Sequence, residues 1–143
     1  MLRVRTKLEF SELHGIGVFA LEPIKKGQLV IRHHPDFDFV FYDADMEKLP
    51  VAMREAIEYY GYRYERGGFF IYNVDNERFL NHSESPNLRP GRRVMFAARD
   101  IEPDEELTVD YRTFCDDCAK EGIANIFRKG HAFTESDPLR GEG

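Results

Sequence analysis

Arg78-Phe79-Leu80-Asn81-His82-Ser83-Glu84-Ser85-Pro86-Asn87 is the stretch on which the reading of this chain turns. Asn81, His82, Ser83 and Asn87 fall within seven positions, and Pro86 closes the run. So many hydrogen-bonding side chains do not belong in an ordinary core strand. Phe79 and Leu80 lead into it and want burial, so it is not a plain solvated loop either. Buried polar groups need partners, so these side chains bond each other and the backbone, or they face a ligand. An irregular turn capped by Asn and Ser side chains meets the same demand, and the run alone does not choose between the two.

Two further blocks flank it. His14-Gly15-Ile16-Gly17-Val18-Phe19-Ala20 carries a Gly-x-Gly. Gly15 and Gly17 permit positive φ and a close approach of backbone to a ligand, although a simple hairpin turn uses the same property. Glu106-Leu107-Thr108-Val109-Asp110-Tyr111 is a short strand-like run that ends in Asp-Tyr. In this order the three blocks resemble a SET domain, the family of S-adenosylmethionine-dependent protein lysine methyltransferases. The match is to a Gly-x-Gly, an Arg-Phe-x-Asn-His-Ser-x-x-Pro-Asn and a Glu-Leu-x-x-Asp-Tyr, and it covers roughly residues 5 to 115.

The resemblance implies a mainly β (α+β) fold of small curved β-sheets, with a pseudoknot and one short helical insert at about 43–61. It implies a SET domain over 1–118; in the remainder, 119–143, Ile123, Ile126 and Phe127 suggest a short C-terminal helix and Pro138, Gly141 and Gly143 a disordered tail. Its implied activity is methyl transfer from S-adenosylmethionine to a lysine of a basic protein, such as a histone. His14, Gly15, Ile16 and Gly17 would hold the methionine end of the cofactor, Asn81 its amino-acid moiety and His82 its adenine edge. Phe114 would close over the adenine, and Tyr111 would be the catalytic residue, in contact with the cofactor. Tyr62, Tyr72 and Val109 would line the lysine channel, with Tyr60 and Tyr64 as competitors for the tyrosine position.

Such a reaction asks three things of the protein. It aligns the amine with the S–CH₃ bond. It delivers that amine without its proton, and an apolar channel lowers the lysine pKa. It also surrounds the cationic methyl with oxygens. Tyr111 suits alignment and electrostatics better than proton abstraction, because a tyrosine of ordinary pKa, about 10, is a costly base near neutrality. Val109 stands where many family members carry Phe or Tyr, and its smaller side chain suggests di- or trimethylation.

A second departure concerns metal. Many members bind zinc through a cysteine just after Asn-His-Ser and three more after Asp-Tyr. Here residue 84 is Glu, and the chain holds two cysteines, Cys115 and Cys118. A Cys₄ site within one chain is excluded by count, which leaves Cys115 and Cys118 as weak candidates with His131, or a site shared between two chains. The adjacent His33 and His34 point apart on a strand and lack a third ligand.

Elsewhere, residues 2–10 alternate and read as an edge strand. Phe37, Phe39 and Phe41 alternate likewise, with Asp36 and Asp38 on the other face. Leu49, Met53, Ile57 and Tyr60 recur at helical spacing, with Asp45 as a cap, Pro50 in the first turn and Gly61 at the end. A length of 143 residues indicates one domain. No run approaches the ~18 apolar residues of a membrane helix. The first residues lack an apolar signal region, and two neighbouring cysteines make no disulfide framework. The expected location is therefore cytoplasmic, or nuclear in a eukaryotic or viral source.

Net charge is −6. It argues against direct nucleic-acid binding, which needs a basic face, and favours a basic protein substrate. The chain would work as a monomer or homodimer. Two rivals remain: a silent SET-like module that binds S-adenosylmethionine or a peptide, and a purely structural β-rich domain.

Overall fold

Alternating side chains on either side of a polar turn make a hairpin of Thr6–Phe10 (β1) and Ile16–Ala20 (β2). This computed structural model describes residues 1–63 and 68–114. The strands that follow are Leu29–Arg32 (β3), Asp38–Tyr42 (β4), Tyr62–Arg63 (β5), Phe69–Asn73 (β6), Asn81–His82 (β7), Leu88–Gly91 (β8), Val94–Ala97 (β9) and Glu106–Val109 (β10). They form three small sheets, in the orders β1-β2-β10-β7, β3-β9-β8 and β4-β6-β5. The fold is mainly β, as the sequence indicates.

The expected edge strand at 2–10 is two pieces. Residues 1–4 lie against β3, where Leu2 bridges to Ile31 and Arg3 N–H donates to the Val30 carbonyl (2.7 Å). The chain then crosses to pair β1 with β2. The switch changes which side chains face inward: Val4 is buried, whereas Phe10 is 92% exposed.

The expected single helix is also two, Asp43–Met46 (α1) and Val51–Tyr60 (α2). Pro50 separates them and occupies the position just before α2, where its missing N–H costs nothing. Asp45 lies inside α1 rather than capping it. Gly61 ends α2 without a left-handed turn. It is glycine because a Cβ would meet the Ile57 and Ile71 carbonyl oxygens at 2.5 and 2.7 Å.

At the start of β4 one carboxylate of the expected acidic face turns inward, while Asp36 stays exposed. Asp38 is buried, and its carboxylate accepts from Asn73 Nδ2 (2.9 Å), His34 N–H (2.6 Å) and the Met1 ammonium (3.3 Å). Burial pushes this carboxyl up, but those bonds outweigh it and hold it below the ordinary range. Phe37 and Phe39 are exposed. Hydropathy alternation finds the two faces of such a strand but not which one is satisfied inside.

The main core gathers Val18, Ala20, Ile24, Val30, Leu88, Ala97, Ile101 and Leu107, each almost wholly removed from water. β10 runs through it, antiparallel to β2 and parallel to β7. Beyond the short β7, side chains take over the strand's second side. Asn87 Nδ2 donates to the Glu106 carbonyl (2.7 Å), its Oδ1 accepts from Thr108 N–H (2.9 Å), and Ser83 N–H donates to the Val109 carbonyl (2.9 Å). Asn87 is 2% exposed. Asn87→Ala leaves buried backbone groups without partners, at about 1–3 kcal/mol each. Urea unfolding is expected to show a loss of about 3 kcal/mol or more; a loss below about 1 kcal/mol contradicts this role.

Candidate functional site

β10 brings the three sequence blocks together: the hairpin with the Gly-x-Gly on one side, Asn81–His82 on the other, and Tyr111 at its end. A tight turn over Tyr111–Thr113 follows, started by Asp110, whose carboxylate accepts from Arg112 N–H (3.0 Å). The Arg112 guanidinium grips both oxygens of that carboxylate (2.8 and 2.7 Å) and holds it below the ordinary range.

Asn81 is buried, and its amide nitrogen donates to the His14 carbonyl (2.9 Å), the Ile16 carbonyl (3.2 Å) and Glu106 Oε1 (2.8 Å). All three partners are acceptors only, so they fix which end of the amide is nitrogen. Asn81 Oδ1 is thereby turned away from them and accepts from no group among the described residues. Glu106 is held in turn by the Ser11 hydroxyl (2.9 and 2.8 Å), which caps Leu13 N–H in the loop (2.9 Å). Gly17 makes room for this arrangement, since a Cβ there would stand 2.2 Å from Glu106 Oε1. Gly15 takes φ +47° in the same loop.

His82 Nδ1 accepts from Tyr111 N–H (3.2 Å), which puts the ring proton on Nε2. Burial, with Arg112 nearby, pushes the imidazole below its ordinary value against the pull of Asp110 and Glu84. Protonation would cost the bond to Tyr111. Because the unfolded chain takes up this proton near pH 6.5 and the folded chain only lower, the His82 contribution to stability is lost as pH falls below about 6.5. An NMR titration of the His82 ring is expected to give a midpoint below that value; one at or above it contradicts the assignment.

The Tyr111 hydroxyl donates to the Leu80 carbonyl (2.5 Å), so its proton is committed and its oxygen can act further only as an acceptor. The ring stands 5.4 Å from His82 and 6.0 Å from Phe114, and Phe114 lies 5.0 Å edge-on from Tyr62. Tyr111 and Phe114 pack on the main core, which includes the buried Val109.

Tyr72 is placed elsewhere. Tyr62 pairs with Ile71 across β5 and β6, so the neighbouring Tyr72 projects from the opposite face of that sheet, beside Phe39. Cys115 and Cys118 lie outside the described residues, as do Tyr64, His131 and the C-terminal segment. Among the described residues no group of three or more His, Cys, Asp or Glu side chains could hold a metal ion. No helix among them is long and apolar enough to cross a membrane.

Sequence reasoning assigned no role to Glu106 or Ser11. Glu106 heads the Glu-Leu-x-x-Asp-Tyr block, and the glycine opposite it was the available signal. Glu106→Gln brings a second amide donor against Asn81 and frees that side chain to turn. Urea unfolding is expected to show a loss of about 1 kcal/mol, roughly one hydrogen bond. Stability unchanged from the parent chain argues against the clamp.

Comparison with known proteins agrees with this geometry. The SET domain family model matches residues 15–112. Histone-lysine N-methyltransferase ATX2 of Arabidopsis thaliana is 31% identical over 133 residues, which cover 77% of this chain and 11% of that protein. N-lysine methyltransferase KMT5A-A of Danio rerio is 29% identical over 118 residues, covering 73% and 34%. The chain thus spans about a tenth to a third of these relatives' length. Among solved structures, Chaetomium thermophilum Polycomb Repressive Complex 2 bound to GSK126 superposes with a TM-score of 0.60 at 22% identity, over 82% of this chain and 17% of that one. A ctPRC2 chain in an autoinhibited conformation bound to S-adenosylmethionine gives 0.59 at 22% identity, over 87% and 17%. Sequence blocks, sheet order and family match agree: this chain belongs to the SET-domain family.

Proposed function

We propose that this chain transfers a methyl group from S-adenosylmethionine to a lysine side chain of a basic protein, histones being the class named for several relatives. The observation that supports this best is the meeting of three acceptor and donor groups around β10. Asn81 Oδ1 has no donor and His82 Nε2–H no acceptor among the described residues, and the Tyr111 hydroxyl has its proton committed elsewhere. A ligand with an ammonium, a sulfonium and an adenine edge answers to that set. The cofactor, when bound, supplies a methyl on a good leaving group.

The remaining work falls to the chain's own residues. His14, Gly15, Ile16 and Gly17 offer backbone to the amino-acid end, beside Asn81. His82 and Phe114 take the adenine side. Tyr111 directs an oxygen at developing positive charge and fixes the line of approach. Its proton donation to Leu80 argues for acceptance of a cation rather than for service as a base. Tyr62 and Phe114 make the aromatic wall along which a lysine loses its hydration and favours its neutral form. Tyr62, edge-on to Phe114, supports the wall role better than Tyr72, which lies on the opposite sheet face.

Transfer of labelled methyl to purified histones is the direct test. Tyr111→Phe is expected to lower kcat about 100-fold or more, while the affinity for S-adenosylmethionine changes only a few-fold. Equal rates in the variant would remove Tyr111 from the mechanism, and no transfer by either protein would favour a silent binding module. Mass spectrometry of the product is expected to show di- or trimethyl-lysine, because Val109 leaves space; monomethyl-lysine alone contradicts that expectation.

A further inference from the structure

Five arginines gather in one region of the surface. Arg3, Arg5 and Arg32 line one open groove of about 440 Å³, together with His34. The turn between β8 and β9 adds Arg92 and Arg93 beside them: Arg32 and Gly91 both pair with Val94, and His33 N–H donates to the Arg93 carbonyl (3.0 Å). All five arginines are exposed, and Arg32, Arg92 and Arg93 stand at one end of the β3-β9-β8 sheet. None forms an ion pair with a carboxylate among the described residues. Glu22 accepts from the backbone N–H of Arg5 rather than from its guanidinium. The nearby Asp38 and Asp75 are occupied by Asn73, by backbone N–H groups and by Met1. Asp36 is exposed and stands 3.8 Å from His34.

In a chain of net charge −6, five guanidinium groups on adjoining segments, without a carboxylate partner among the described residues, repel one another. Arg93 also takes φ +58° in a two-residue turn that glycine or asparagine would fill at lower cost. We infer that this arginine face binds the phosphate backbone of nucleic acid, through charge and without reading sequence. Guanidinium forks match phosphate oxygens bidentately. A protein partner fits less well, because protein interfaces centre on apolar and aromatic side chains. None of the exposed large apolar residues lies within residues 1–5, 29–32 or 89–94. Nucleic-acid interfaces are polar and strongly cationic, as this face is. The sum of the charges speaks against nucleic acid; their distribution supplies the basic face that binding requires.

The test is fluorescence anisotropy of the full chain with a labelled DNA duplex of about 20 base pairs, over a series of salt concentrations. Five phosphate contacts predict that log Kd rises with log salt with a slope of about 4 to 5. The triple variant Arg3→Gln, Arg32→Gln, Arg92→Gln is expected to reduce that slope by about 3 and to weaken binding more than tenfold at moderate salt. Its thermal melt, matched to that of the parent, shows that it folds. Arg99→Gln is the control, because Arg99 pairs with Glu105 and belongs to neither site; its binding should match the parent's. Absence of binding at low salt overturns the inference, as does binding that the triple variant retains. Capture of an acidic polypeptide with no affinity for the duplex overturns it too, and would mark the face as a protein contact. Each readout is independent of methyl transfer.

Discussion

β10 has a two-residue strand as its neighbour on one side, and the side chain of Asn87 completes what that strand leaves open. This substitution of side chain for backbone lets a C-terminal strand sit deep in the core between the N-terminal hairpin and the 81–87 segment. Leu107 and Val109 anchor it by burial. The polar face of the same strand then meets the loop at 14–17, Asn81 and His82. A site assembled from segments almost one hundred residues apart owes its geometry to this one strand. Its polar groups are costly to bury unpaired, so the hydrogen bonds that satisfy them also fix their directions.

Much of this was legible in the sequence, because its motifs are made of residue types with few structural alternatives. Asn81, His82 and Asn87 had to be satisfied somewhere, and Gly17 had to leave space for something. The identity of that something, Glu106, was not legible, because a carboxylate in a strand-like run reads equally well as a solvated face. The inward turn of Asp38 was hidden for a similar reason: its partners, Asn73 and His34, come from different elements and leave no periodic trace. Tyr62 and Tyr72 could not be separated either, since the choice depends on strand register, and a shift of one residue exchanges the faces. Pro50 did carry a readable signal for the break between α1 and α2.

The proposed methyl transfer would ask for few special groups. Among the described residues, the site's polar groups are committed elsewhere rather than poised as nucleophiles. The Tyr111 proton is committed to Leu80, the His82 ring is kept neutral by burial, and the Asp110 charge is spent on Arg112. What remains are acceptor oxygens and aromatic walls, which suit a cationic ligand and a neutral amine. A cluster of arginines without carboxylate partners among the described residues lies instead at a separate groove, lined by Arg3, Arg5 and Arg32.

Calorimetric titration of the full chain with S-adenosylmethionine, beside an Asn81→Ala variant of matched thermal stability, tests the central claim most directly. The account predicts one binding site with a dissociation constant in the micromolar range, weakened tenfold or more in the variant, about 1.4 kcal/mol. An absence of binding, or equal binding by both proteins, would contradict it and leave the polar cluster around β10 as a structural device alone.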